Sequence, residues 1–369
     1  MKLLMISTDR LVFKKDSSVA LRVIEYAKSY EELHIIVFNT KFNPSADEQT
    51  VKPNPTIDVQ NIIRSQVEQS RDGNTRIQLS NNCWVYPTRS RFKLEYPFDG
   101  IRIASSVIRN RGITDISCQD PFLTAAVGTS LKRRFSIPLE IQIHTDIGSP
   151  YYTYNFSNKI RKILAKRYLP QADNIRVVSD RIKQYLIEQL NNSSKRSGVK
   201  LELNIEVRPI VVDTERIKNT PIGVDLHKKY PQFEKIVLMA SRLEPEKDIE
   251  LAIKAWPEVL KKFSTTGLII VGDGSQISNL KSQISKLHLD DFIILESWVN
   301  QATLASYYKT ADIFLNTSLF EGYGMTLVEA QAAGCKIIST DVGVAREVGA
   351  KIVGHKANEV ACGIIEGIS

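Results

Sequence analysis

Short apolar runs alternate along the chain with longer segments in which apolar residues recur at helical spacing. We predict a strand at each of the clearest runs, which are residues 2–7, 34–38, 141–144, 175–179, 235–241, 268–271, 313–316 and 336–339. Strands of this length separated by helices are typical of parallel sheets covered by helices on both faces. We therefore predict an α/β fold, in which ligands bind beyond the carboxyl ends of the strands.

A polar stretch rich in proline divides these strands into two series. Pro209, Pro221, Gly223 and Pro231 interrupt the chain before the strand predicted at residues 235–241. The length of 369 residues also exceeds the ~100–200 residues of a typical single domain. We predict two domains, at residues 1–209 and 210–369.

Composition and the first residues exclude several classes of protein. Apolar residues make up 43% of the chain and charged residues 24%, which excludes collagen-like, coiled-coil and largely disordered proteins. No stretch reaches the roughly 18 apolar residues of a membrane-spanning helix, and the apolar run at residues 3–6 is too short for the core of a secretory signal. The widely spaced cysteines indicate free thiols in a cytoplasmic protein; they are Cys83, Cys118, Cys335 and Cys362.

Two glutamates frame a glycine turn and the predicted start of a helix at residues 321–329. The residues between Glu321 and Glu329 are Gly322, Tyr323, Gly324, Met325, Thr326, Leu327 and Val328. The glycines permit a tight turn, and the first backbone N–H groups of the helix, around residues 324–326, would point at an anion such as a diphosphate. Glu329 suits the vicinal hydroxyls of a ribose and Glu321 those of a second sugar. The same pattern also fits a strand–turn–helix connection with two solvated glutamates.

Two further loops follow predicted strands in this half. Arg242 and Lys247 leave the strand at residues 235–241, where two cations can clamp a diphosphate and stabilise charge on a leaving group. Gly272 and Gly274 follow the next strand and would let a nucleotide approach the backbone. An exposed basic pair among acidic residues is the alternative interpretation of the first loop, and Gly-x-Gly alone is a weak signal.

Together these motifs resemble the donor domain of retaining nucleotide-sugar glycosyltransferases of family 4, which have the GT-B fold. The resemblance covers most of residues 235–350 and implies two Rossmann-like domains whose parallel sheets face each other across a cleft. It implies that residues 1–209 bind the acceptor and residues 210–369 the donor. In this family Arg242 and Lys247 would bind the donor diphosphate, Glu329 the ribose and Glu321 the transferred sugar, with Trp298 and Val299 at the base.

The resemblance also places a histidine of the first domain opposite the donor sugar. His144 ends a predicted strand and occupies the matching position, although a single histidine there also fits a structural role. The family's glycine pair after the first strand is replaced here by residues 14–18, where Ser17 and Ser18 stand on the acceptor side and can cap the next helix. The family's C-terminal helix usually crosses back to the first domain, and a chain ending at Ser369 leaves little or nothing for it.

The net charge of +8 lies in one half of the chain. Residues 1–220 hold 34 basic and 23 acidic side chains, a net charge of +11, whereas residues 221–369 hold 15 and 18, a net charge of −3. Residues 131–200 alone hold 14 and 5, a net charge of +9. An excess confined to one half indicates an anionic partner for that half.

The densest part of this basic span has helical periodicity. Ile160, Ile163, Leu164 and Tyr168 recur at helical spacing, and the remaining surface carries five cations, Lys159, Arg161, Lys162, Lys166 and Arg167. Such a helix can lie on an anionic membrane leaflet. It equally fits a packed helix with a solvated basic face.

From these features we predict a glycosyltransferase that moves a sugar from a nucleoside diphosphate sugar to a glycan or glycolipid acceptor, with retention, at the cytoplasmic face of a membrane. Because the sequence contains no Asp-x-Asp, we expect no metal, and we expect no cofactor beyond the donor. The alternatives are other GT-B chemistry, such as a phosphorylase or an epimerase, and a basic nucleic-acid-binding protein. The last is disfavoured because no arginine-rich tail or aromatic RNA-binding motif occurs.

Overall fold

The computed structural model describes residues 1–14, 17–40, 67–69, 75–197 and 203–369, without the side chains of residues 18, 67–69, 190 and 193–197. The chain forms two compact units of similar size. The first contains Met1–His144, Asn155–Val177 and Ile187–Val207, and the second contains Thr145–Tyr154, Val178–Leu186 and Arg208–Ser369. Two short segments from the first half of the chain thus belong to the second unit. A single boundary near residue 210 does not describe these two segments.

The first unit is built on a nine-stranded sheet in the order β3-β4-β5-β2-β1-β6-β7-β8-β9. Its strands are β1 (Lys2–Ser7), β2 (Glu32–Val37), β3 (Val67–Gln69), β4 (Thr75–Ser80), β5 (Cys83–Pro87), β6 (Asp115–Cys118), β7 (Leu139–Ile143), β8 (Asn174–Val177) and β9 (Asn204–Val207). Among these strands only β4 runs in the opposite direction to the others. The helices are α1 (Ser18–Ala27), α2 (Tyr96–Arg111), α3 (Leu123–Phe135), α4 (Phe156–Tyr168) and α5 (Asp180–Ser197), the last of which begins in the second unit.

The second unit has a six-stranded, fully parallel sheet in the order β12-β11-β10-β13-β14-β15. Its strands are β10 (Lys235–Ala240), β11 (Thr266–Val271), β12 (Ile293–Glu296), β13 (Ile313–Asn316), β14 (Lys336–Thr340) and β15 (Lys351–Val353). Its helices are α6 (Thr214–Asn219), α7 (Leu226–Lys229), α8 (Ile249–Lys262), α9 (Ile277–Lys286), α10 (Gln301–Thr310), α11 (Met325–Ala332) and α12 (Ala357–Ile368).

Apolar residues from both faces of each sheet are buried, which explains the uninterrupted apolar strands of the sequence. In the second unit one core packs around the buried Trp256 of α8, and the other lies on the opposite face around Phe314. All eight predicted runs are strands, and the α/β class is confirmed. A helix does follow the last strand: α12 packs on α8 within the second unit. In the described part of the chain, no helix is both long and apolar enough to cross a membrane.

The order of the second sheet determines where its ligand edge lies. Strand β10 pairs with β11 on one side and with β13 on the other, so the chain reverses its direction of sheet growth there. Ligands of open parallel sheets bind at the carboxyl edge of such a switch point. The loops that leave β10 and β13, residues 241–248 and 317–324, therefore frame the expected site.

Candidate donor site and basic surface

A buried ion pair joins these two loops. Lys247 Nζ donates to Glu321 Oε1, and the two side chains are only 13% and 14% exposed. The Ser318 hydroxyl lies 2.8 Å from the same carboxylate oxygen. Two residues that the sequence suggested as separate ligands of phosphate and sugar therefore contact each other. A charge pair withdrawn from water in this way is strongly oriented and costly to break.

The loop that carries Glu321 is held by further polar contacts inside the second unit. The Thr317 hydroxyl donates to the carbonyl oxygens of Lys247 and Asp248 at 3.1 and 2.9 Å. The Leu319 amide donates to the Glu246 carbonyl at 2.8 Å. These bonds attach the loop after β13 to the loop after β10 along several residues. Glu321 consequently has a fixed backbone on which to present its carboxylate.

The two segments from the first half of the chain also hold this loop. The buried hydroxyls of Ser149 and Ser179 donate to the carbonyls of Leu319 and Gly322, at 3.3 and 3.0 Å, one on either side of Glu321. The Tyr152 ring packs edge-on against Phe320, with 5.4 Å between centroids. Arg181 forms an ion pair with Asp341. Sequence analysis missed these contacts because their partners are more than 140 residues apart.

Helix α11 begins directly after this loop without a capping side chain. Its N-cap is Gly324, which adopts a left-handed conformation with φ of 91°, and a Cβ there would lie 2.8 Å from Leu327 Cδ1. The first amides of such a helix lack intrahelical acceptors. The helix dipole adds partial positive charge at the same end. The glycine turn thus leaves an anion-attracting helix start beside Glu321, whose Cγ lies 3.9 Å from the same Cβ position.

A small, mainly apolar pocket, open to solvent, lies next to this helix start. It is lined by Ala240, Ser241, Val271, Trp298, Val299, Leu304 and Thr326. Among the residues that the structure describes, none forms a hydrogen bond with the buried Ser241 Oγ, and the Trp298 side chain is exposed. The structure therefore brings Val299 and Thr326 together, and an unused hydroxyl faces a cavity in which a ligand could satisfy it.

The glycines after β11 have a steric role inside the second unit. A Cβ on Gly272 would lie 1.9 Å from the Ser241 carbonyl oxygen, and one on Gly274 would lie 2.5 Å from that of Leu243. Both distances are far below van der Waals contact. These glycines allow the loop after β11 to pack on the loop after β10, which is also joined to it by the Leu243 amide and Asp273 carbonyl at 2.8 Å. The backbone of the loop after β10 therefore leaves no room for a side chain at either position.

Glu329 lies on α11 with one carboxylate oxygen already engaged. The buried Tyr308 of α10 donates to Glu329 Oε2 at 2.9 Å. Burial raises the pKa of Glu329, and the Tyr308 hydroxyl partly offsets this effect. Oε1 is left for another donor, so the carboxylate can still accept a ligand hydroxyl. No sequence signal pointed to Tyr308, whose partner lies on a different helix.

Arg242 differs from Lys247 in its surroundings. Its side chain is 66% exposed and donates to Glu246 Oε1 at 3.0 Å, four residues further on. An exposed pair of this kind contributes little to stability, because water and salt screen it. Arg242 can therefore exchange Glu246 for a ligand phosphate at small cost.

His144 lies in the first unit, directly after β7, and is exposed. Its Nε2 lies 3.0 Å from Gln142 Oε1. Desolvation lowers the pKa of His144, and the charges of Arg176 and Arg22 lower it further, which favours the neutral ring. A neutral imidazole can donate from one nitrogen and accept at the other.

Ser17, one of the residues expected on the acceptor side, already uses its hydroxyl in hydrogen bonds with neighbouring backbone groups. Its hydroxyl accepts from the Ala20 amide at 3.0 Å as the N-cap of α1, and it donates to the Leu11 carbonyl at 2.6 Å. The capping role expected for this loop is confirmed, and it leaves Ser17 little capacity for a ligand. Lys15 and Asp16 of the loop, and the side chain of Ser18, lie outside the described residues.

Helix α4 leaves part of its apolar surface exposed to solvent. Phe156 is 76% exposed and Ile163 66%, and Ile160 between them is also exposed. Four of the predicted cations are exposed, namely Lys159, Arg161, Lys166 and Arg167, whereas Lys162 is half-buried. The helix instead packs through Asn158 and Ala165. Leu164 and Tyr168 are half-buried, so the helix packs along one side and leaves the two isoleucines uncovered.

The described residues contain no group of three or more His, Cys, Asp or Glu side chains arranged to hold a metal ion. The groups among them that could bind a phosphate are cations and backbone amides, at Arg242, Lys247 and the start of α11.

Residues 226–356 match the family model of glycosyl transferases group 1. This span contains every residue proposed for the donor site. The chain is also 25% identical over 251 residues to alpha-monoglucosyldiacylglycerol synthase of Streptococcus pneumoniae, an alignment that covers 66% of the chain and 55% of that relative. It is 29% identical over 248 residues to an uncharacterized glycosyltransferase of Methanocaldococcus jannaschii, covering 66% of the chain and 61% of that relative.

The fold matches solved structures over the whole chain. A structure described as trehalose-6-phosphate from E. coli bound with UDP-2-fluoro glucose superposes with a TM-score of 0.72 at 12% identity, covering 100% of this chain and 91% of that one. The predicted fold class, two parallel-sheet α/β domains as in GT-B glycosyltransferases, is therefore confirmed. The family match and the relatives support a glycosyltransferase.

Proposed function

We propose that this protein is a retaining, family-4 type glycosyltransferase that uses a nucleoside diphosphate sugar. The observation that carries the proposal is the start of α11, which adjoins two groups of different chemistry. Thr326 lines the apolar pocket, and Glu321 lies against Gly324 with its carboxylate bound by Lys247. A base and ribose fit the pocket, a diphosphate fits the uncapped amides, and the sugar hydroxyls fit Glu321.

In the proposed mechanism, cations and amides take the place of a metal. Arg242, Lys247 and the first amides of α11 neutralise the diphosphate as negative charge develops on the leaving oxygen. Glu329 holds the ribose, and Glu321 orients the transferred sugar. His144 supplies a neutral ring on the acceptor side. The acceptor hydroxyl attacks the anomeric carbon from the face that the diphosphate leaves, and the leaving phosphate takes its proton.

The proposed acceptor is lipid-linked and lies at the cytoplasmic face of a membrane. Support comes from α4, whose exposed Phe156, Ile160 and Ile163 are flanked by cations. The first unit has a second segment of this kind at residues 91–98, where Leu94 is 86% exposed and Phe92 and Phe98 are also exposed, next to Arg91 and Lys93. Apolar side chains in the interface and cations near anionic headgroups bind membranes together. The name of the streptococcal relative also describes a glycolipid.

A thermal-shift panel of UDP, GDP, ADP and dTDP sugars tests the donor site. A ligand at 100 times its Kd adds about 2.7 kcal/mol to the free energy of unfolding, so one donor should raise Tm by several degrees. Arg242→Gln should abolish the shift at the same donor concentration. Lys254→Gln is the matched control, because Lys254 forms an exposed i,i+4 pair with Glu250 on α8. A panel without any stabilising donor would contradict the proposal.

Stereochemistry is tested with the donor so identified. Transfer to a lipid or sugar acceptor is followed by ¹H NMR of the anomeric proton. An α-linked donor should give an α-linked product, and an inverted product would refute the retaining mechanism while leaving the donor site intact.

A further inference from the structure

A row of polar side chains leads along the first sheet to His144. Glu140 and Gln142 of β7 lie four and two residues before His144, so the three side chains share one face of the strand. Ser117 of the neighbouring β6 is in register with Glu140. Gln142 and Ser117 are almost completely buried, at 2% and 1% exposure. Side chains buried to this degree have few alternative partners.

The hydrogen bonds in this row fix the orientation of the Gln142 amide. Gln142 Nε2 lies 2.8 Å from Ser117 Oγ and 3.2 Å from Glu140 Oε1, and Ser117 Oγ donates to the same Glu140 oxygen at 2.9 Å. An ionised carboxylate can only accept hydrogen bonds. The Gln142 NH₂ group must therefore point toward Glu140, and its carbonyl oxygen points the other way, toward His144.

This orientation decides which nitrogen of His144 carries the proton. Gln142 Oε1 can only accept, so His144 Nε2, 3.0 Å away, must be the donor. In a neutral ring Nδ1 then has a lone pair and no proton. Among the described residues, no hydrogen-bond partner of His144 Nδ1 is found.

We infer that Gln142 is a positioning residue, anchored by Glu140 and Ser117, which holds His144 as the Nε2–H tautomer so that Nδ1 accepts a hydrogen bond from a substrate hydroxyl. The substrate part of this inference rests on the proposed function, in which His144 lies on the acceptor side. The group opposite Nδ1 must then carry a proton, as a sugar hydroxyl does. A carboxylate or phosphate oxygen would instead meet the nitrogen lone pair.

The tautomer can be measured without any activity by ¹⁵N NMR of the histidine side chains at pH 7. The His144 signals are assigned as those missing from a His144→Asn variant. We expect the Nε2–H pattern in the wild-type protein and a mixture of tautomers in Gln142→Leu. Glu140→Gln should also loosen the preference, because the amide introduced in place of the carboxylate can either accept from Gln142 or donate to it. Gln78→Leu is the matched control, a glutamine of the same sheet on β4, and should leave His144 unchanged.

A His144 signal with the Nδ1–H pattern in the wild type would overturn the inference, as would an unchanged tautomer in Gln142→Leu. Circular dichroism and Tm identify any variant that fails to fold, in which case Glu140→Gln alone decides. Kinetics with the identified donor form a separate arm: Gln142→Leu should lower kcat about tenfold while donor KM changes less than about twofold. Lack of transfer by the wild type would refute the proposed function and leave the tautomer measurement valid.

Discussion

The donor loops of the second unit and helix α4 of the first unit handle charge in opposite ways. Lys247 and Glu321 form a single buried ion pair in the second unit. Residues 221–369, which belong to that unit, have a slightly negative net charge. The cations of α4 are numerous and mostly exposed beside uncovered apolar side chains. Buried, paired charges can orient a single ligand, whereas exposed charges attract a whole surface. The net charge of a region therefore indicates the kind of partner it attracts, whereas the position of each charge indicates whether it can orient a single ligand.

The largest expected effect concerns the carboxylate of Glu321. Glu321→Gln removes its charge but keeps its size and its contact with Ser318, and we expect transfer to fall about 10²–10³-fold. Stability should fall as well, because the buried Lys247 loses its charge partner. Initial rates at saturating donor, together with Tm, measure this. Glu258→Gln on α8 is the control, because Glu258 is exposed and pairs only with Lys261. Undiminished transfer by Glu321→Gln would remove Glu321 from the mechanism.

Lys247 and Arg242 offer a comparison within one loop. Lys247→Met leaves the buried Glu321 without its partner and should lower the free energy of unfolding by about 3 kcal/mol. Arg242→Met removes an exposed pair and should cost less than about 1 kcal/mol. Urea unfolding at pH 7 measures both. Equal losses would show that the burial of the Lys247 pair has no energetic consequence.

The proposed membrane contact should respond to charge on α4. Replacing Lys159 and Arg167 by Gln removes two cations worth about 1 kcal/mol each near an anionic surface, so binding to vesicles containing phosphatidylglycerol should weaken about 30-fold. Sedimentation with such vesicles, and with phosphatidylcholine alone, measures the change. The control is Lys254 and Lys261 both replaced by Gln on α8 of the second unit. Equal weakening by both double variants would mean that α4 has no special contact.

A smaller effect is expected at Ser179. Ser179→Ala removes the hydroxyl that donates to the Gly322 carbonyl and should cost about 1 kcal/mol of stability. If the loop positions Glu321, kcat should also fall several-fold, and Ser179→Thr should restore part of it. Steady-state kinetics and urea unfolding of the two variants measure this. A loss of stability with unchanged kcat would assign Ser179 to folding alone.

Glu329 should make the stability of the protein depend on pH. Its pKa is raised in the folded protein, so the folded state binds more protons than the unfolded state between the unfolded and folded pKa values. Stability from this group is therefore lost as pH rises through that interval above about pH 4.5. Glu329→Gln should flatten this part of the curve, measured by urea unfolding at several pH values. An unchanged slope would contradict the effect of burial.

The strands and the glycine turn were predictable because each depends on residues close together in the sequence. The Lys247–Glu321 contact was not, since both side chains were interpreted as ligands and their pairing depends on the order of β10 and β13. The steric limit at Gly272 was not predictable either, because it comes from Ser241, on another loop. The spacing of Ile160 and Ile163 fits a buried and an exposed helix face equally well, and only the structure shows that both side chains are exposed.

Hydrogen–deuterium exchange tests most directly whether a nucleotide sugar binds the second unit while an anionic membrane binds α4 of the first unit. We expect a stabilising nucleotide sugar to slow exchange of the amides at residues 322–327 and to leave residues 156–168 unchanged. Anionic vesicles should slow exchange at residues 156–168 and leave residues 322–327 unchanged. Protection of residues 156–168 by the nucleotide sugar, or no protection at residues 322–327, would contradict a donor site in the second unit.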